Sequence, residues 1–221
     1  MKRFTGVIGA LLLGLASAAA QAVPMSTLFD DGELQVGDKL FSDWTFLDAS
    51  WSIDDWQPDF SLIDVTGDAT DPMNIALNFD FGGQLQASDG EFGDLSFAFT
   101  ASVVGGANQI VGVGLDIDVA ILENGAAYIA EGVDTSWQTP TLEVDDLSPS
   151  DAAAIAGTGS VRIEKNVFVG TLSEGDSVNL LGMSQTFAQE PLEPPVNVPV
   201  PAPLALLALG LLGLGWSRRR A

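Results

Sequence analysis

Apolar and polar residues alternate with a period of two along three long stretches of the chain. Met73-Ile75-Leu77-Phe79-Phe81 is interleaved with Asn74, Ala76, Asn78 and Asp80; Leu95-Phe97-Phe99-Ala101-Val103 with Ser96, Ala98, Thr100 and Ser102; Val111-Val113-Leu115-Ile117-Val119-Ile121 with Gly112, Gly114, Asp116 and Asp118. A strand sends successive side chains to opposite faces, so this pattern predicts strands with one face on a core and one in water. Shorter runs of the same kind predict strands at 33–36, 39–47, 60–65, 84–87, 126–131, 140–144, 160–169 and 177–181. Turn chemistry lies between them. Gly82-Gly83 and Asn124-Gly125 suit two-residue hairpins, whose central positions need positive φ, and Asp89-Gly90, Gly105-Gly106 and Gly175-Asp176 mark looser turns. One or two helical turns are expected at 148–156, with Ser148 as cap, Pro149 in the first position and Gly157 as stop. Many short strands at this spacing argue for an all-β fold, an antiparallel β-sandwich of jelly-roll type.

The two ends break the pattern. Lys2-Arg3, the apolar run Val7–Ala16 and Ala20-Gln21-Ala22 form a positive region, a hydrophobic region and an A-x-A cleavage site, a secretory signal over residues 1–22. At the other end no charged residue occurs from Ala202 to Ser217. A helix needs roughly 17–25 apolar residues to cross a bilayer, so this run is short for a span. Arg218, Arg219 and Arg220 can snorkel to the interface and favour the cytoplasmic side, which puts the body of the protein on the far side of the membrane. Pro199, Pro201 and Pro203 hold the approach extended. The expected organisation is a signal peptide (1–22), a sandwich ectodomain (23–184), a Pro-rich linker (185–197) and a terminal segment with one short transmembrane helix (198–221).

Val198-Pro199-Val200-Pro201-Ala202, the Leu/Gly/Ala run and the arginine cluster together resemble the PEP-CTERM family of exported bacterial proteins, in particular its VPLPA-type variants. Val200 stands where the commonest family pattern has Glu. The resemblance implies an exosortase-type membrane enzyme as partner, transient anchorage in the inner membrane, and release of the remainder to the cell surface or extracellular matrix. The opening Gly37-Asp38-Lys39 to Trp44 is also similar to the start of other ectodomains in that family.

Composition narrows what the ectodomain can do. Between the signals, residues 23–200 hold three cations (Lys39, Arg162 and Lys165) against all thirty acids, a net charge of −27. Such a domain repels nucleic acid and anionic membranes; neutral exopolysaccharide and divalent cations are compatible partners. The chain has no cysteine, so no disulfide supports the fold, and neither cysteine nor histidine is present for triad nucleophiles or zinc. No catalytic residue is assigned and no enzyme activity expected; the enzyme alternative is a hydrolase with paired carboxylates. No cofactor is required, though calcium could be held by acidic loops: Asp54, Asp55 and Asp59 in one, Asp64, Asp68 and Asp71 in the other. Trp51 and Trp56 offer flat apolar faces suited to sugar rings, with Trp137 as a further candidate. The functional expectation is a structural or adhesive matrix protein, with a carbohydrate- or calcium-binding module as the alternative.

Overall fold

The computed structural model describes residues 22–52, 57–135 and 139–192. The chain divides into two compact units, residues 1–191 and 192–221, and the first is built as two antiparallel sheets. In chain order its elements are β1 (Val23–Pro24), α1 (Met25–Phe29), β2 (Leu34–Val36), β3 (Lys39–Trp51), β4 (Asp64–Asp68), β5 (Asn74–Asp80), β6 (Gln86–Ser88), β7 (Phe92–Val103), β8 (Asn108–Leu122), β9 (Gly125–Asp134), β10 (Thr141–Asp145), β11 (Ser150–Thr158), β12 (Ser160–Thr171) and β13 (Ser177–Pro191). The first sheet runs β1-β4-β5-β13-β8-β11, with β6 also on β13; the second runs β10-β9-β12-β7-β3-β2. The fold is a β-sandwich, as the alternation predicts.

The inward faces follow the sequence pattern. Ile75, Leu77 and Phe79 of the first sheet and Leu95, Phe97, Phe99 and Ala101 of the second are buried, and their rings meet across the gap. Phe41 meets Phe187 at 5.4 Å and Phe79 meets Phe97 at 5.9 Å, while Trp44 stacks on Phe99 of the neighbouring strand in its own sheet at 4.6 Å. The pattern slips once. The β8–β13 register jumps between Gly112 and Ile110, so Ile110, and not Val111, takes the fully buried place; an extra residue at a bulge shifts the alternation by one.

Most turn signals change sheets instead of closing hairpins. The chain passes from β8 to β9, from β6 to β7, from β7 to β8 and from β12 to β13 by crossing the sandwich. At Asn124-Gly125 the residue with positive φ is Glu123 (φ 62). The buried Asp176 carboxylate holds this corner, accepting hydrogen bonds from the Asn124 backbone (3.3 Å), the Asn124 side chain (3.2 Å) and the Ser173 backbone (2.9 Å).

Three expectations need correction. Residues 148–156, read as one or two helical turns, instead enter edge strand β11 (Ser150–Thr158) on β8, with Ala152 opposite Gly114 and Ala154 opposite Gly112; pairing along an available edge overrides alanine's helix preference. Gln185–Pro191, read as linker, completes β13 at the centre of the first sheet, bonded to both β5 and β8. The strand expected at 60–65 lies at Asp64–Asp68, preceded by a turn in which Met25 and Ser26 donate to the Ile63 and Phe60 carbonyls. The rest of the linker, the terminal segment and the signal peptide lie outside the described residues, apart from Ala22 and Leu192. Among the described residues no helix is long and apolar enough to cross a membrane.

Candidate functional site

The outer face of the second sheet is set by the register of β9, β10 and β12. In β12 the odd positions from Val161 to Val169 turn inward, so Arg162, Glu164, Asn166 and Phe168 turn outward; in β9 the outward set is Ala126, Tyr128, Ala130, Gly132 and Asp134. Pairing brings Phe168 beside Tyr128, Asn166 beside Ala130, Glu164 beside Gly132 and Arg162 beside Asp134. On the far side of β9, Glu143 faces Ala130 and Thr141 faces Gly132. Ala130 and Gly132 make a low floor between taller walls. The result is a groove of about 420 Å³ bounded by Thr139, Thr141 and Glu143 on one side and Arg162, Glu164 and Asn166 on the other.

Past Asn166 and Ala130 the same face turns aromatic. A Cβ built on Gly170 would lie 2.6 Å from Cζ of Phe168, so the Phe168 ring lies along its own strand over that glycine. Tyr128 stands next to it, and its phenol hydrogen-bonds Glu143. Burial first, then the charge of Glu143 with that bond, then Asp145, push the Tyr128 phenol above its ordinary value, so it stays a neutral hydroxyl. Beyond Phe168 a second hollow of about 550 Å³ is lined by Phe92, Ala126, Phe168, Gly170 and Leu172, with Phe92 and Leu172 49% and 83% exposed. Phe168 and Tyr128 are the next outward positions along β12 and β9 after Asn166 and Ala130 of the groove, and Phe168 lines the second hollow.

The polar side chains are pre-set. Asn166 Nδ2 donates to both Asp94 oxygens (2.9 and 3.1 Å) and to Ser96 Oγ (3.0 Å), which orients its amide from the β7 side. Among the described residues Arg162 is the one cation that reaches solvent, since Lys39 and Lys165 are wholly buried. In a domain of net charge −27 it stands in this groove, beside Asp134 and Glu164.

The residues singled out from sequence fare differently. Trp51 is half-buried: its ring lies over Gly93, where a Cβ would meet it at 2.0 Å, packs against the core, and lines a hollow of about 480 Å³ with Gln86, Ser88, Glu91, Ser177 and Asn179. Trp56, Trp137, Asp54 and Asp55 lie outside the described residues. Asp59, Asp68 and Asp71 each cap a local turn, accepting from Ser61, Thr70 and Met73 respectively at 2.8–3.0 Å, and Asn74 Nδ2 also bonds Asp71. Asp64 sits in β4 opposite Asp80. Among the described residues no three acidic side chains converge as metal ligands would. Tyr128 and Phe168, opposite one another on the outer face, are not singled out by the sequence, whose signal for them is only that both fall on the polar phase of their strands.

Comparison with known proteins bears on the terminus and the fold. The model of the PEP-CTERM protein-sorting motif matches residues 197–220. The chain carries a PEP-CTERM sorting signal. Its presence marks an exported protein that is sorted by an exosortase by way of a membrane-anchored C-terminal region and then reaches the surface; the motif residues Val198, Pro199, Val200, Pro201, Ala202 and Arg218–Arg220 lie within the match, outside the described residues. No curated protein matches the chain. Solved structures that match include TmCBM61 in complex with β-1,4-galactotriose, at 16% identity over 76% of this chain and 98% of that one with a TM-score of 0.29. A structure of carbohydrate-binding modules from the β-sandwich superfamily matches at 12% identity over 75% of this chain and 60% of that one, TM-score 0.25. The enzymatically active domain of tailspike protein 4 from bacteriophage CBA120 matches at 10% identity over 78% and 21%, TM-score 0.23. Likeness at this level extends to neither ligand nor site.

Proposed function

We propose that this PEP-CTERM protein is a non-enzymatic component of the extracellular polysaccharide matrix, holding a neutral polysaccharide chain along the outer face of the second sheet. The observation that carries the reading is that Tyr128 and Phe168 are the next outward positions, on the same face, after Ala130 and Asn166 of the groove walled by Glu143, Arg162, Glu164 and Asn166. A sugar ring has an apolar face and an equatorial belt of hydroxyls. A flat ring beside fixed donors and acceptors meets both needs. The length of the face, open at both ends, suits a chain better than a single sugar.

Charge and acid placement support the same reading. A net charge of −27 disfavours polyanionic ligands, and Arg162 is balanced by Asp134 beside it. Paired-carboxylate hydrolysis needs one acid kept protonated in an apolar setting. Among the described residues the two buried acids, Glu131 and Asp176, are each occupied: Glu131 by Lys165 and Gln185, Asp176 by backbone and Asn124 donors. Affinity electrophoresis of the exported protein through gels containing neutral or uronate polysaccharides tests the proposal. Retardation by a neutral polymer, lost in Tyr128→Ala/Phe168→Ala, is expected; mobility unaffected by every neutral polymer would overturn it.

A further inference from the structure

Two lysines lie in the domain, and both are inside it. Lys165 points inward from β12 between the sheets, where its Nζ meets the Glu131 carboxylate of β9 and, at 2.5 Å, Gln185 Oε1 of β13. Gln185 Nε2 donates to the other Glu131 oxygen at 3.1 Å. All three side chains are at most 1% exposed. Lys39 repeats the arrangement at the far end of β13: its Nζ meets Gln189 Oε1 and, at 2.8 Å, Asp38 Oδ1, while Gln189 Nε2 donates to the same Asp38 oxygen at 3.1 Å and to the Pro72 carbonyl. In each case the amine faces the amide oxygen, the amide nitrogen faces the carboxylate, and the carboxylate faces the amine.

Stability alone is a poor reason to build this twice. A buried ion pair is often no more stabilising than apolar side chains of the same volume. What the arrangement does supply is an amine, a carboxamide and a proton carrier held together, wholly buried at Lys165 and, at Lys39, with the Asp38 side chain 28% exposed. A carbonyl bond is about 1.23 Å long, so the Gln185 Cδ lies within roughly 3.7 Å of the Lys165 Nζ, close to the range of a near-attack contact.

We propose that each triad forms an intramolecular isopeptide bond, Lys165 to Gln185 and Lys39 to Gln189, with Glu131 and Asp38 as the proton carriers. The carboxylate takes a proton from the lysine ammonium and frees the nitrogen lone pair. Burial pushes the Lys165 amine below its ordinary value, against the opposing pull of Glu131, and so favours this transfer. The amine adds to Cδ, forming the new C–N bond. The carboxyl then gives its proton to Nε2, the Cδ–Nε2 bond breaks, and ammonia leaves; the carboxylate so restored takes the remaining extra proton from the newly bonded nitrogen and hands it to the ammonia, which departs as ammonium. One lysine ammonium and one glutamine amide become one secondary amide and one ammonium, with no oxidant, metal or second protein required. Exclusion of water protects the intermediate from hydrolysis. The first bond spans 20 residues of chain and the second 150. Together they tie β13, the last strand before the sorting segment, to β12 and to β3 in the opposite sheet, covalent support for a cysteine-free exported domain. This inference does not depend on the polysaccharide reading.

Mass spectrometry of the denatured full-length exported protein tests it. The expected result is a deficit of one ammonia for each bond. Trypsin should cut after Arg162 and spare Lys165, leaving one peptide that begins at Ile163, contains Gln185 and lacks one ammonia. A free Lys165 would release Ile163-Glu164-Lys165. Full mass in the Ile163 region with that tripeptide present, in a protein that melts cooperatively, would overturn the proposal. An ammonia deficit confined to an N-terminal Gln21 peptide would overturn it equally, and a bond at Lys165 alone would overturn it for Lys39. Glu131→Gln and the milder Glu131→Asp should lower the yield of the Lys165 bond; a folded variant of either kind with unchanged yield would overturn the role given to Glu131.

Discussion

Gly170→Ala isolates the aromatic shelf from the fold that carries it. The new methyl would stand 2.6 Å from Phe168 Cζ, 3.0 Å from its Cε1 and 3.4 Å from Phe92 Cβ, so the Phe168 ring must lift by about an ångström to reach ordinary contact. Gly170 does not have positive φ, so alanine adds no backbone strain, and the loss of glycine's unfolded-state freedom favours the variant by about 0.4–1 kcal/mol. Moving the ring off its preferred rotamer costs about 0.5–1.5 kcal/mol. These nearly cancel, and the melting temperature should stay within a few degrees. Binding should not be spared. A sugar covering about a third of a phenylalanine's roughly 200 Å² buries on the order of 60 Å², worth about 1.5 kcal/mol, or close to tenfold in Kd. Titration calorimetry with the polymer that retards the wild type should therefore show Gly170→Ala and Phe168→Ala weakened to a similar degree, each by about tenfold. If Phe168→Ala and Gly170→Ala both bind like the wild type while Trp51→Ala does not, the shelf has been placed on the wrong face.

Other consequences follow from the same geometry. Asp176→Ala removes an acceptor shared by three donors at the β8–β9 and β12–β13 corners and should cost about 2–3 kcal/mol, seen as a melting temperature lowered by roughly 5–10 °C. Acid should destabilise the domain in a defined window. Hydrogen bonds from Ser61, Thr70, and Asn74 with Met73 hold Asp59, Asp68 and Asp71 below 3.8, while for Asp38 burial pushes upward but is outweighed by Lys39, Asn108 and Gln189. The stability these depressed carboxyls contribute is complete above 3.8 and is lost as pH falls through their folded values; thermal melts should thus drop below pH 3.8, and Asp38→Asn should flatten that drop. Removal of residues 197–220 should abolish surface delivery, checked by fractionation and immunoblotting of periplasm, outer surface and medium.

The strands were legible because a sandwich with one wet face per sheet writes its period into the chain. Ile75-Leu77-Phe79 and Leu95-Phe97-Phe99 lie inward just as their alternation requires. β13 was cut short at residue 181 because its inward face past Met183 alternates Gln185, Phe187 and Gln189, and the glutamines hide the period. Their partners are the two buried lysines, one 20 and the other 150 residues away, a relation no local pattern carries. Ala152–Ala154 misled in the opposite direction, because small residues suit both a helix and an edge strand facing Gly112 and Gly114. The binding face was half visible. Tyr128 and Phe168 fall on strands expected from sequence, and their outward phase could be counted, but nothing local says that β9 and β12 are neighbours in a register that sets the two residues opposite one another. Tryptophans drew attention instead. Trp44 is a core residue stacked on Phe99, and Trp51 lies over Gly93 beside a hollow between β6 and β13.

Hydroxyl-radical footprinting of the exported protein, with and without the retarding neutral polysaccharide, locates the binding face directly, because aromatic rings report their solvent contact by oxidation. The account predicts protection of Tyr128, Phe168 and Phe92 on the second sheet, with Phe46 and Trp51 unchanged. Protection confined to Trp51, or an oxidation pattern that the polymer leaves unaltered at Tyr128 and Phe168, would contradict it.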